Sequence, residues 1–196
     1  MWRIHGLTSH KVQMLLNQLC RCGQSYLEVG CYLGATAAAA LDGNKLKAYF
    51  VDHWEEQVQP LRDDLPPLPE NSKEDFVKNI KYYRGENKIK VFDSDLFDVD
   101  LDQIDPIDIF FYDGPHGPEM TFNAIKYYET VLADQAIIVV DDANFEGSVQ
   151  GAKSAIKEQG FNISFERLIL EEEPENAEGW WNGVLILGVS RTSLSK

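Results

Sequence analysis

Tyr26-Leu-Glu-Val-Gly-Cys-Tyr-Leu-Gly34 decides how the rest of this chain is read. A short apolar strand ends in the acid Glu28, turns on Gly30, and enters an Ala-rich helix through Gly34. The resulting E-x-G-x-x-x-G spacing has a steric rationale. Glycine reaches dihedrals closed to other residues and lets backbone approach a bound nucleoside closely. The dinucleotide fingerprint G-x-G-x-x-G is not met, because Tyr32 stands at its middle glycine. A pyrophosphate would press against such a turn. The bland alternative is an ordinary βα turn that happens to contain glycines.

Outward from this turn, strands and helices alternate, and no internal repeat interrupts them. Val12, Leu15, Leu16 and Leu19 recur at helical spacing behind Thr8 or Ser9 as cap, giving an N-terminal helix within residues 1–23. Strands are expected at 25–30, 47–52, 88–93, 107–112 and 136–141, most of them short and continuously apolar, as in a parallel sheet covered on both faces. Helical patterns fall between them at 34–42, 72–83, 118–132 and 148–159. The last two strands, near 163–170 and 182–190, have no helix between them and read as an antiparallel pair. Residues 55–71 carry four of the eight prolines and are expected to be an insertion loop. The five glutamates of residues 171–178 predict a solvated turn, with Trp180 and Trp181 either lining a pocket mouth or packing on the sheet. Residues 191–196 are expected to be a flexible tail.

Length and composition narrow the function. At 196 residues with 44% hydrophobic content, the chain fits one domain spanning 1–196. A net charge of -14 opposes nucleic acid and anionic membranes as partners, since an acidic field repels them at long range. Cys20, Cys22 and Cys31 have no metal-finger spacing and read as free thiols in a reducing compartment. With no apolar run long enough for a signal peptide or a membrane span, a soluble, cytoplasmic protein is expected.

In an open α/β sheet, ligands bind beyond the carboxyl ends of the strands where strand order reverses. The residues at those ends are therefore the candidates. Asp52 closes the second strand about 20 residues past the glycine turn, where an acid accepts hydrogen bonds from ribose hydroxyls; the alternative is a helix cap. Ser94 and Asp95 follow the third strand, again as ligand contacts or caps. Asp113 follows the fourth strand within Phe111-Tyr-Asp-Gly-Pro-His-Gly117, and Asp141-Asp142 close the fifth. If those strands are adjacent, three carboxylates crowd one site and raise one another's pKa unless a cation intervenes. Hard oxygen ligands suit Mg²⁺ or another hard divalent ion. Alternatively, Asp142 or Asn144 caps the next helix.

The glycine turn resembles motif I of the class I S-adenosylmethionine-dependent methyltransferases. With the Asp-Gly-x-His segment and the double Asp, the ordered set over roughly residues 24–145 looks like the metal-dependent O-methyltransferases. The sugar-tailoring members are the nearer likeness, and catechol O-methyltransferase is more distant. This resemblance implies a Rossmann-like, doubly wound seven-stranded sheet of order 3-2-1-4-5-7-6, with an antiparallel final pair and helices on both faces. It implies S-adenosylmethionine contacts from Glu28, Gly30, Tyr32, Gly34, Asp52, Ser94, Asp95 and Asp113, and Mg²⁺ held by Asp113, Asp141 and Asp142. Tyr32 or Trp54 would face the cationic sulfur, unless they are core. The family's base is a lysine three positions, or an aspartate two positions, after the first metal acid. Here Pro115 and His116 occupy those places, so His116 is the candidate base. The acceptor would be a hydroxylated small molecule, a sugar or vicinal diol. Competing readings are an amino-methylating enzyme acting on nucleic acid or protein, an NAD-dependent oxidoreductase, and a catalytically silent cofactor- or partner-binding module. The amino-methylating reading lacks the Asn/Asp-Pro-Pro-aromatic segment, and the oxidoreductase leaves Asp141-Asp142 unexplained.

Overall fold

A computed structural model describes residues 2–54 and 71–192. Most of the expected proline-rich loop, and residues 193–196 of the expected tail, lie outside the described residues. Twelve elements of regular structure carry the fold: α1 (His10–Cys20), β1 (Ser25–Val29), α2 (Ala35–Leu41), β2 (Lys47–Asp52), α3 (Ser72–Tyr83), β3 (Lys88–Asp93), β4 (Ile107–Tyr112), α4 (Pro118–Tyr128), β5 (Leu132–Asp141), α5 (Glu146–Glu158), β6 (Phe161–Ile169) and β7 (Val184–Arg191). Single 3-10 turns at Leu101–Gln103 and Glu129–Val131 complete the regular structure of the described residues.

The seven strands form one sheet in the order β3-β2-β1-β4-β5-β7-β6. β1 pairs in parallel with β2 and β4, and β7 runs antiparallel to both β5 and β6. The chain thus winds one way from β1 to β3, then restarts at β4 on the other side of β1. That reversal places the crevice between the carboxyl ends of β1 and β4, with β2 and β5 flanking it. The expected sheet, strand order and antiparallel finish are all present.

Both faces of the sheet are covered, which explains the unbroken apolar runs. Leu27, Val29, Phe110, Ile138 and Val140 pack under α4 and α5, whereas Tyr26, Phe50, Ile109, Phe111 and Val139 pack under α1, α2 and α3. α2 is fully buried, and its small Ala side chains let α1 lie close against it. Asn17 of α1 donates to the carbonyls of Ala39 and Asp42, both at 2.8 Å, so these backbone acceptors near the end of α2 are satisfied without water.

The largest boundary differences from the sequence expectation fall at one place. The helix expected over 118–132 stops at Tyr128, and β5 begins at Leu132 rather than 136. Arg191 accounts for this: its guanidinium donates to the Glu129 carboxylate at 2.6 Å and to the carbonyls of Glu129 and Leu132 at 3.0 and 3.4 Å. Val131 and Leu132 continue the helical apolar spacing, but these contacts draw them into a 3-10 turn and the strand. Arg191, expected in a flexible tail, is instead the last residue of β7.

Candidate active site

The glycine turn is built by tight internal packing. Gly30 lies at φ +87, and a Cβ there would stand 2.0 Å from the carbonyl oxygen of Asp113. Gly34, also at φ +87, caps α2, and its Cβ would meet the Phe76 ring at 2.9 Å. The glycines therefore serve the chain's own close contacts with β4 and α3. Glycine is required at both positions by these contacts within the chain. Tyr32 between them is left-handed at φ +46, and its half-exposed ring meets His5 edge-on at 6.2 Å. Trp54 is buried, 5.0 Å from the Phe76 ring, and its indole N–H donates to the Tyr32 carbonyl at 2.8 Å. Trp54 is thus core; of the two aromatics expected near a sulfonium, only Tyr32 keeps an open face.

Glu28 does not line the crevice. It is completely buried, and its carboxylate accepts the hydroxyls of Tyr26 at 2.7 Å and Thr36 at 2.5 Å. Burial pushes its pKa up to about 8, against the lowering effect of those two hydrogen bonds. Its place beneath the turn argues for a structural acid rather than a cofactor contact. The Tyr26–Glu28 pair was legible as an i, i+2 pair on one strand face; Thr36, arriving from α2, was not.

Asp52 accepts three backbone N–H groups: Cys31 at 2.7 Å and Tyr32 at 2.9 Å on Oδ2, and Trp54 at 3.0 Å on Oδ1. It does not cap a helix. Ser94 has a buried hydroxyl with no partner among the described residues, whereas exposed Asp95 accepts the Phe97 N–H at 2.9 Å as a local turn. These two neighbours, weighed alike in the sequence, separate here: the Ser94 hydroxyl is left unpartnered and Asp95 serves its own loop.

The ends of β4 and β5 converge as the adjacency argument required, Tyr112 pairing with Val140. Asp113, His116 and Asp142 bring one ligand atom each to within 4.8 Å of one another. His116 Nε2 lies 2.6 Å from Asp142 Oδ2, and its ring stacks on exposed Phe145 at 5.6 Å between centroids. Asp141, 1% exposed, has no hydrogen-bond partner for either side-chain oxygen; Asp142 Oδ1 and His116 Nδ1 also lack one. Burial, then the charges of Asp141 and Asp142, push the Asp113 pKa well above the carboxylate range. Burial and then the Asp142 charge do the same to Asp141, opposed by the nearby Asp142 backbone N–H, whose geometry falls short of a hydrogen bond. Asp141 stands outside the 4.8 Å group, so of the expected trio the structure brings Asp113 and Asp142 together, with His116 as the third close member. Neither Asp142 nor Asn144 caps α5, whose N-cap is Phe145. Asn144 instead exchanges hydrogen bonds with the Glu171 backbone at 2.7 and 3.0 Å. Glu171 in turn accepts the Trp180 N–H at 2.6 Å, so the glutamate run organises its loop and Trp180 packs on the core. Phe145 and the Asn144–Glu171 clamp were not foreseen; an aromatic just after Asp-Asp-Ala-Asn was the available signal.

Residues 27–143 match a family model described as a methyltransferase domain. The chain belongs to that family. No curated protein matches the sequence. Among solved structures, an O-methyltransferase from Bacillus cereus in complex with S-adenosylhomocysteine is similar at TM-score 0.62 and 12% identity, over 93% of this chain and 82% of that one. The O-methyltransferase TomG from Streptomyces achromogenes, involved in tomaymycin synthesis and in complex with S-adenosylmethionine, gives TM-score 0.62 and 15% identity over 93% and 81%. A ribosomal protein L11 methylase from Lactobacillus delbrueckii subsp. bulgaricus gives 0.58 and 17% over 96% and 81%. At such identities these likenesses show the fold, which is that of the class I methyltransferases using S-adenosylmethionine.

This methyltransferase has residues that suit the family's cofactor, and others that suit a divalent cation. Toward the nucleoside cofactor it offers the unpartnered Ser94 hydroxyl after β3 and the partly exposed Asp113 after β4. Toward a divalent cation it offers buried carboxylate oxygens that nothing else satisfies, in a site where like charges repel. Among the described residues no helix is long and apolar enough to cross a membrane.

Proposed function

We propose that this methyltransferase moves the methyl group of S-adenosylmethionine to a hydroxyl of a small molecule, a sugar or vicinal diol, with help from Mg²⁺ beside Asp113, Asp141 and Asp142. The observation that carries the reading is the set of unpartnered carboxylate oxygens on Asp141 and Asp142. Leaving such groups buried costs on the order of 1–3 kcal/mol each, more when charged, and a bound cation would offset that cost. Its O-methyltransferase neighbours and its net charge of -14, which disfavours polyanionic acceptors, point the same way. Three cysteines without disulfide partners fit a cytoplasmic setting.

When bound, the cation lowers the pKa of a hydroxyl held beside it and fixes its direction. The chain's own residues supply the rest. Asp142 accepts Nε2–H of His116, which leaves Nδ1 as the basic nitrogen to take the hydroxyl proton. The transfer breaks the sulfur–methyl bond, forms an oxygen–methyl bond, and leaves S-adenosylhomocysteine. Phe145, stacked on the imidazole, holds the ring plane and shields the base from water.

The test supplies tritiated S-adenosylmethionine and a panel of sugars, vicinal diols and catechols, in Mg²⁺ and again in EDTA. The expected result is label in a hydroxylated small molecule, suppressed by EDTA and reduced about 100-fold in His116→Ala. Label only in protein or RNA acceptors, or transfer indifferent to EDTA, would overturn it.

A further inference from the structure

We infer that the hydroxylated acceptor also carries a positive charge: it is a small amine-bearing molecule whose ammonium is held by an acidic rim beside Phe145 while its hydroxyl reaches His116. The inference rests on the proposed O-methyl transfer and narrows its acceptor class. With the cofactor on the β1–β3 side of the crevice, the acceptor meets His116 and Asp142 from the side of β7 and β6. That side is formed by the loop between β6 and β7, residues 170–183. Ile169 pairs with Val184, and Val184 with Asp141, so the loop leaves the sheet beside an unpartnered buried carboxylate. It is tied there by the residues after Asp142. The Ala143 N–H donates to the Gly183 carbonyl at 3.1 Å and the Asn144 N–H to the Asn182 carbonyl at 2.8 Å, beside the Asn144–Glu171 clamp.

The groups this loop presents are of one sign. Glu171 spends its carboxylate inside the loop, on the Trp180 N–H, but Glu172, Glu173 and Glu178 are exposed. Glu146, also exposed, opens α5 next to Phe145. None of these four has an ion-pair partner among the described residues. Neither Leu132–Ala152 nor Leu168–Ser190 contains a Lys, Arg or His, although the whole chain sets 18 basic residues against its 32 acids. The imbalance is therefore steeper at this rim than in the chain at large. A second observation points to a ligand rather than a merely solvated face. Asp141 and Asp142, 1% and 9% exposed, keep carboxylate oxygens unpartnered at the base of the same loop, and the Phe145 ring that stacks on His116 is itself exposed. An open aromatic face beside carboxylates suits an organic cation, which the acidic field would also draw in. Held as an ammonium, the nitrogen has no lone pair to take the methyl. The sulfur–methyl bond then breaks toward the hydroxyl oxygen, whose proton passes to His116 Nδ1.

The test compares acceptors that differ only in charge, glucosamine with N-acetylglucosamine and dopamine with N-acetyldopamine, using tritiated S-adenosylmethionine and Mg²⁺. The cationic member of each pair is expected to show about tenfold higher kcat/KM, chiefly through KM, with the label on oxygen. The triple variant E172Q/E173Q/E178Q should cut that preference about tenfold, and raising the ionic strength should shrink it in the wild type. Affinity for S-adenosylhomocysteine checks that the variant is folded. Equal use of charged and neutral partners, or a preference unmoved in the triple variant, would make the rim a solvated face only; it would overturn the inference and leave O-methyl transfer standing. If none of the four is methylated, their calorimetric binding with S-adenosylhomocysteine and Mg²⁺ present decides. Tighter binding of the amines sustains the inference, and equal or absent binding overturns it. Label on nitrogen, or only in a lysine-rich protein, would overturn the O-methyl reading and this inference with it.

Discussion

Two pairs of strand ends on either side of the same crevice are built on opposite terms. At the ends of β1 and β2, the polar groups are partnered: Glu28 is held by Tyr26 and Thr36, and Asp52 by three backbone N–H groups. At the ends of β4 and β5, Asp141 has no partner for either oxygen, and Asp142 and His116 each keep one buried atom unpaired. Buried polar groups are nearly always paired in folded proteins, so an unpaired cluster beside a paired one is a division of labour. The first region spends its contacts on shape. The second leaves its acceptors open, as the proposed cation would need.

That contrast breaks most visibly at Gly30. Gly30→Ala adds a Cβ within 2.0 Å of the Asp113 carbonyl, at a backbone angle of +87 that disfavours it anyway. The expected loss in urea denaturation is more than about 3 kcal/mol, with much of the protein unfolded on expression. A loss below about 1 kcal/mol would mean the turn has slack the structure does not show.

Asp141→Asn should act in two directions. Removing one of several repelling buried charges is expected to raise the stability of the ion-free protein by about 1–2 kcal/mol. Methyl transfer should meanwhile fall about 100-fold or more. Stability measured by denaturation and rate measured with one acceptor check both halves. A variant that loses stability would place Asp141 among the structural acids, with Glu28.

The paired side has its own signature, in pH. Glu28 keeps its proton in the fold up to about pH 8, whereas in the unfolded chain it ionises near 4.5. Between those values the native state binds the additional proton, so stability falls as pH rises from about 4.5 to 8 and levels off beyond. The slope from this one group approaches about 1 kcal/mol per pH unit. Asp113 and Asp141, also raised, add in the same direction. Glu28→Gln should remove its share of the slope in denaturation curves across that window; an unchanged slope would assign it wholly to the β4–β5 acids. The smallest effect is expected at Phe145, which is 53% exposed. Phe145→Ala should change stability by less than about 0.5 kcal/mol while lowering turnover, since His116 loses the ring it stacks on.

The sheet was legible because its signals are local. Continuous apolar runs such as Ala136-Ile-Ile-Val-Val140, punctuated by Gly and Asp, state a buried parallel strand wherever they occur, and the double-Asp ending of β5 marked the site. What the sequence could not show was orientation. Glu28 and Asp52 are both acids at strand ends, yet one turns beneath the sheet surface toward α2 and the other back onto its own turn. Nothing in composition or spacing distinguishes them, because the deciding partners, Thr36 and the N–H groups of Cys31 and Tyr32, are set by how the turn packs. The same limit hid the true reason for Gly30. Its neighbour is the carbonyl of Asp113, more than eighty residues away in the chain.

The most direct test of the contrast is thermal unfolding at pH 7.5 with Mg²⁺ added stepwise to wild type and to Asp142→Asn. If the β4–β5 acids await a cation, the wild-type Tm rises with the logarithm of ion concentration above the Kd of one site, and the variant's does not. A wild-type Tm indifferent to Mg²⁺, or one that rises equally in both proteins, would contradict the account.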